Sequence, residues 1–223
     1  LQKELYDEII GRLDKEETSV PYLLDGYYYA QRFEQGKEYP IFGRKKGSLE
    51  AKEEILLNQN ELAKNQVFCA LGKLGLCSNN KILAYSVDFI SRRMYSIYFK
   101  NLKTGELLED LIPNTSGGFA WANDGKTIFY TLKDEDTLRS DKVYKHVLGT
   151  DSKDDELIFV EKDDTFISSV YRSKSKKFII IGSYSTVSTE FQILSADNPN
   201  EKFKIFEPRQ RNHEYSIEHK GNS

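Results

Sequence analysis

The chain has 223 residues, 39% hydrophobic and 30% charged, with a formal net charge of −3. That is ordinary globular composition, room for one large domain or two small ones, and too little charge for intrinsic disorder. Lysine and arginine (32) do not outnumber aspartate and glutamate (35), which argues against an electrostatic nucleic-acid binder. No apolar run approaches the ~20 residues of a membrane-spanning helix.

No secretory leader stands at Leu1. A cytoplasmic location is the expectation, with a periplasmic one open if the natural chain starts earlier. Residues 1–13 read as a helix, because Leu1, Leu5, Ile9, Ile10 and Leu13 recur at helical spacing and form one apolar stripe. So short a helix is marginal alone, so the stripe is expected to lie on something. Ser19-Val20-Pro21 then forces extended backbone, since proline disfavours helix at the residue before it.

Beyond Pro21 the chain reads as strand and turn. The first hairpin opens on Asp25-Gly26, a dipeptide that supplies the positive φ of tight turns. It continues through Tyr27-Tyr28-Tyr29 to Phe33 and returns at residues 38–44. A third strand follows at 54–57, so this first group reads as incomplete.

Three later stretches, 76–86, 120–131 and 170–182, share one plan: a strand, a polar turn closing on lysine, then an apolar strand. The lysines Lys81, Lys126 and Lys177 are 45 and 51 residues apart, and Asp25-Gly26 lies 55 residues before Lys81. A period of that size is the mark of propeller blades. Each repeat holds four strands: 67–76, 81–87, 94–100 and 107–112; then 117–121, 126–132, 142–148 and 156–160; then 166–171, 177–183, 189–194 and 202–207. The second strand of each is apolar on both faces, as a strand between packed blades must be. The run 214–219 reads as the opening strand of a fifth blade.

The fold class is therefore all-β, a β-propeller of about four four-stranded blades preceded by a short N-terminal helix. Residues 1–20 form the lead-in and 21–223 the blades. Propellers close with roughly four to eight blades, so a compact four-bladed ring and a part of a larger ring both remain open on spacing alone. In the open arc, residues 27–29 at one end and 191–194 at the other are expected to expose apolar surface and favour self-association.

Cys69 and Cys77, eight apart, would be roughly 26 Å from each other in an extended strand, and they read as two reduced structural thiols. No CxxC or His/Cys cluster suggests zinc, and no cofactor is expected.

Leu5-Tyr6-Asp7-Glu8-Ile9-Ile10-Gly11-Arg12-Leu13, Thr18-Ser19-Val20-Pro21 and Gly26-Tyr27-Tyr28-Tyr29 resemble the start of the propeller in prolyl-oligopeptidase-like serine peptidases, closest to the oligopeptidase B (protease II) branch. Leu83-Ala84-Tyr85-Ser86-Val87-Asp88, Asn114-Thr115-Ser116-Gly117, Val143-Tyr144-Lys145-His146 and Glu214-Tyr215-Ser216-Ile217 continue the match in order along nearly the whole chain. The resemblance implies a seven-bladed propeller over an α/β-hydrolase domain that cleaves short peptides after Arg or Lys through a Ser-Asp-His triad. No Gly-x-Ser-x-Gly nucleophile elbow occurs in the 223 residues. The resemblance thus implies about the first half of the propeller, inactive by itself, with the catalytic domain of the same protein and oligopeptide substrates as its partners.

No residue is expected to be catalytic. His146, His213 and His219 lack a neighbouring elbow and read as structural or solvent-facing. Arg92 and Arg93 lie between the second and third strands of the second blade. Asp134, Glu135 and Arg139 occupy the equivalent loop one blade on, and residues 185–189 the next. Equivalent loops share a propeller face, so Arg92, Arg93, Glu135 and Arg139 are the candidate interdomain, substrate-access face, where arginine suits bidentate pairing with carboxylates. A solvated turn is the alternative for each. Trp121 reads as packing between blades, and the lysine-rich turn 174–177 as solvated. Against the peptidase cover stands a free-standing propeller that binds protein or glycan, since the fold alone does not decide function.

Overall fold

The computed structural model describes residues 1–12 and 17–221. They form two compact units, Leu1–Cys69 and Ala70–Ser223, dividing at the link between the first and second blades.

In the first unit, α1 (Gln2–Gly11) confirms the helix, with Leu13 outside the described residues. The expected burial of its stripe does not occur. No residue of α1 is buried, and Leu5 and Ile9 are 49% and 60% exposed. The helix has local support instead: Lys3–Asp7 at 2.6 Å and Arg12–Glu8 at 2.5 Å are i,i+4 ion pairs, each contributing a few tenths of a kcal/mol (about 0.2–0.5).

The first blade is complete, contrary to the reading of its sequence. It is an antiparallel meander of β1 (Tyr22–Leu24), β2 (Tyr27–Arg32), β3 (Ile41–Lys46) and β4 (Glu53–Asn58) in that order. Three residues of β1 are too few for a period-2 pattern to register. Asp25 (φ 51°) and Gly26 (φ 76°) both adopt the left-handed conformation that a two-residue hairpin requires. Arg44, 3% exposed, pairs with Glu54 at 2.7 Å and lies 4.1 Å over the Tyr27 ring. The one-turn α2 (Gln59–Leu62) follows, capped by the Asn58 side chain.

The second unit contains a seven-stranded and a four-stranded sheet. The first runs β11-β10-β9-β8-β7-β6-β5, and its members are β5 (Ala70–Leu76), β6 (Ile82–Asp88), β7 (Tyr95–Asn101), β8 (Leu107–Trp121), β9 (Thr127–Lys133), β10 (Ser140–Val147) and β11 (Glu156–Val160). The second is the fourth blade: β12 (Ile167–Arg172), β13 (Phe178–Tyr184), β14 (Thr189–Ser195) and β15 (Lys204–Glu207).

The strands expected at 107–112 and 117–121 are one continuous β8, which closes the second blade and opens the third. Ile112 stands opposite Ile97 of β7, Phe119 opposite Tyr130 of β9, and Thr115 opposite both Tyr95 and Leu132. The crossing is held from both sides: Thr115 Oγ1 donates to Tyr95 O at 2.9 Å, and Ser86 Oγ donates to Gly117 O at 2.8 Å. Gly117 has φ 90°, and a Cβ there would lie 2.9 Å from the Tyr95 ring, so glycine is required.

One backbone hydrogen bond recurs in all four blades and marks the repeat that the lysine spacing predicted. The turn after the third strand donates to the turn after the first: Gly47 to Gly26 O, Leu102 to Lys81 O, Leu148 to Lys126 O and Ala196 to Lys177 O, at 2.8–2.9 Å. The second strands of blades two to four, β6, β9 and β13, are buried through five or six consecutive residues, as their two-sided apolar pattern requires. One core cluster joins blades two and three through Ile97, Phe99, Phe119, Trp121 and Ile128. A second joins blades three and four through Phe129, Val143, Val170, Ile179 and Leu194.

Trp121 is packing between blades. Its ring meets Phe99 edge-on at 5.8 Å, and its Nε1 donates to Gly75 O at 3.0 Å. Cys69 and Cys77 are both free and buried. Exposed apolar side chains stand on the edge strands, Tyr22 and Leu23 of β1 and Ile205 and Phe206 of β15, but the residues expected to be exposed are covered: residues 27–29 are half-buried, and Phe191 and Leu194 are each 2% exposed. The segment 213–219 accounts for the second of these. It runs extended across the fourth blade with alternate residues covered, placing Tyr215 5.1 Å from Phe191 and His219 5.0 Å from Phe178. It joins no ladder among the described residues.

Candidate functional site

Strands of a meander alternate in direction. In each blade the loop after the second strand and the link after the fourth therefore open on the same side. In the second unit these are the loops 89–94, 134–139 and 185–188, and the crossings 113–118, 161–166 and 208–212. Side chains join them into one polar face.

The Arg92–Arg93 turn is built on Asp88, 2% exposed, at the end of β6. Its two carboxylate oxygens accept from Ile90 N (2.8 Å) and Arg93 N (2.7 Å). Ser91 (φ 60°) and Arg93 (φ 56°) are both left-handed, a conformation that disfavours non-glycine residues by about 1–2 kcal/mol each. The Asp88 bonds hold the turn in that shape. Arg92 and Arg93 are exposed, and neither guanidinium makes a hydrogen bond or ion pair among the described residues.

The next blade reaches this turn. Lys133 Nζ donates to Arg93 O at 2.9 Å. Burial, and then the nearby Arg93 charge, lower the Lys133 ammonium below its ordinary pKa, with Asp88 opposing. Glu135 is exposed and accepts from Asn114 Nδ2 at 2.8 Å. The structure thus brings Arg92, Arg93 and Glu135 onto one corner of the face, joined through Lys133 and the β8 crossing.

Arg139 is committed elsewhere. Its guanidinium donates to the carbonyls of Glu161, Asp163 and Phe166 at 2.8–2.9 Å and clamps the crossing between blades three and four. Beside it lies a cluster that the sequence did not reveal. Arg209 forks onto Glu161 (2.5 and 3.2 Å), pairs with Glu190 (3.5 Å) and stacks 3.6 Å over the Phe166 ring. Burial alone would raise the Glu161 carboxyl. The Arg209 bonds, with help from the Asp163 amide, bring it below its ordinary range.

The loop at 185–188 closes on itself through Ser185 and Ser188, while Thr189 bonds His213 O and Tyr215 O. His213 lies against Tyr215, His219 against Phe178, and His146 is buried away from this face between two aspartates. Among the described residues no group of three or more His, Cys, Asp or Glu side chains is arranged to hold a metal ion, and no helix is long and apolar enough to cross a membrane.

The turn presents two exposed guanidinium groups on a backbone held by Asp88 and Lys133. Comparison with known proteins gives that face a context. The family described as prolyl oligopeptidase, N-terminal β-propeller domain, matches residues 1–223. Dipeptidyl aminopeptidase BI of Pseudoxanthomonas mexicana is 39% identical over 99% of the chain and 32% of its own length. Protease 2 of Moraxella lacunata is 34% identical over 97% of the chain and 32% of its own length. The solved oligopeptidase B of Leishmania major superposes with a TM-score of 0.94 at 28% identity, covering 100% of the chain and 32% of that structure. The chain thus spans about a third of the length of the curated relatives it matches.

Proposed function

The chain belongs to the prolyl oligopeptidase family through that family's N-terminal β-propeller domain, and from this premise we propose that its blades cover the catalytic domain of an oligopeptidase B-like serine peptidase. In this reading residues 1–20 are the lead-in, and 21–223 supply blades one to four and the opening strand of the fifth. The nucleophile belongs to an α/β-hydrolase domain of the same protein. Substrates are short peptides cut after Arg or Lys, and the blades exclude folded proteins. Opening between the domains admits substrate, a conformational step of the kind that often limits turnover.

One observation supports the reading beyond family membership: among the described residues Arg92 and Arg93 stand unpaired, on a turn whose backbone is held by Asp88 and Lys133. Exposed arginines on a preorganised turn suit a carboxylate on a facing domain, which they would hold by charge-assisted hydrogen bonds. Glu135 on the same corner supplies the opposite charge.

A fluorophosphonate probe and an Arg-ended chromogenic peptide test the proposal. The chain alone takes no label and turns over nothing. The whole protein labels at a serine outside residues 1–223, cuts the short peptide and leaves folded protein intact. Labelling of a serine within the chain, or equal cleavage of short peptide and folded protein, overturns it. Release of N-terminal dipeptides in place of cleavage after Arg or Lys overturns the specificity alone.

A further inference from the structure

His146 takes no part in the polar loop face, yet it is the most completely enclosed titratable group of the third blade. It sits on β10 at 0% exposure, its ring stacked 5.9 Å from Phe99 of β7. Its Nδ1 lies 2.7 Å from Asp155 Oδ1, and its Nε2 lies 3.1 Å from Asp110 Oδ1. Asp155 belongs to the third blade's own turn before β11 and also accepts from Tyr130 Oη of β9 at 2.9 Å. Asp110 belongs to the β8 segment that closes the second blade and also accepts from Gly149 N at 2.6 Å. One imidazole bond therefore stays inside a blade, and the other joins two blades.

An imidazole flanked by carboxylates on both nitrogens donates to both only when doubly protonated. Neutral, it turns a lone pair toward one of them, and the site then holds two anions with no cation between them. The retained proton belongs to the shorter bond, to Asp155, so the contact forfeited is the one to Asp110. Asp151 and Ser152 line the same cleft as Asp110. On β10 itself Lys145 is turned to Glu156 of β11 (2.5 Å) and to Asn200. From the packed strands the Phe99 ring of β7 meets the imidazole, the Tyr130 phenol of β9 meets Asp155, and β8 adds the exposed Glu109.

We propose that His146 is a proton-operated clasp between the second and third blades. Doubly protonated, it ties β8 to β10; on losing the Nε2 proton it releases Asp110 and keeps Asp155. The release point has access to solvent, because Asp110 lines an open cleft formed by residues 108–111 and 149–152. Burial opposes the charge on His146, but the bonds and attraction from Asp155 and then Asp110 prevail and raise its pKa above the ordinary value. A raised folded-state pKa fixes the sign. The clasp's stabilisation is full below ~6.5, where the unfolded histidine is charged too, and is lost as pH rises through the folded-state value.

Imidazole titration of the full chain by NMR, with His213→Gln and His219→Gln to assign the other two rings, is expected to place the His146 midpoint above ~6.5. The Gly149 amide resonance follows the same midpoint, because its acceptor is Asp110. A double-mutant cycle of His146→Gln with Asp110→Asn then reads the interblade coupling. It is expected to be roughly tenfold larger in the unfolding constant at about pH 5.5 than at about pH 9. The same cycle with Asp155→Asn keeps the larger share of its coupling at the higher pH. A midpoint at or below ~6.5, a Gly149 amide that ignores it, or an Asp110 coupling equal at both pH values overturns the clasp.

Discussion

Trp121→Ala is expected to destabilise the second unit by about 3–5 kcal/mol, the range for removing a buried large aromatic side chain. Trp121 is 3% exposed and lies in the cluster that joins blades two and three. The substitution opens a cavity beside Phe99, and it also strands Gly75 O, the acceptor of the indole N–H. Gly75 is half-buried, so the lost hydrogen bond adds about 0.5–1.5 kcal/mol. Trp121→Phe separates the two effects, because it keeps most of the ring packing and loses the hydrogen bond. Urea unfolding of the three proteins measures both. A loss below about 1 kcal/mol for the alanine variant, the size expected at a surface position, would contradict the assignment of Trp121 to the interblade core.

Arg209→Ala is expected to cost about 3 kcal/mol near neutral pH, at the low end of the range for stranding a buried charge. Arg209 is a quarter exposed, whereas Glu161 is 5% exposed and would be left ionised without its fork. The pH dependence identifies the cause. Arg209 holds the Glu161 carboxyl below its ordinary range. A depressed carboxyl contributes stability above the unfolded value of ~4.3, and that stability is lost as pH falls through the folded one. The difference in stability between wild type and Arg209→Ala should therefore shrink as the solution is acidified below about pH 4. A difference that stays constant down to about pH 2 would assign the loss to the Phe166 stacking contact alone.

The repeat was legible because one geometric need recurs. The turn carbonyls of Gly26, Lys81, Lys126 and Lys177 accept the same backbone bond, and the strands that follow three of them are enclosed on both faces. Legibility failed where pattern was too short or fixed from outside. The three residues of β1 carry no alternation, and the joining of 107–112 to 117–121 depends on Thr115 bridging two strands far away in sequence. The stripe of α1 marked the helix but said nothing of what covers it.

At the candidate site, the Arg92–Arg93 turn was visible as a charged break between two apolar strands. Arg139 looked equivalent, but its acceptors are backbone carbonyls 22 to 27 residues onward, which leave no trace in side-chain identity. Glu161 and Arg209, 48 residues apart, were hidden for the same reason, as were the two aspartates of His146.

If the turn carrying Arg92 and Arg93 meets a catalytic domain, the double variant Arg92→Ala, Arg93→Ala will loosen the closed whole protein and leave the chain itself intact. Both side chains are exposed, so the chain's stability should change by no more than about 0.5 kcal/mol. In the whole protein, loss of a coupling of roughly 1–3 kcal/mol would shift the open–closed balance about 5- to 150-fold. A several-fold change in kcat/KM for a short Arg-ended peptide is expected, together with new cleavage of longer chains. Unchanged turnover and unchanged size selectivity in the double variant would contradict it and return both arginines to the status of solvated turn residues.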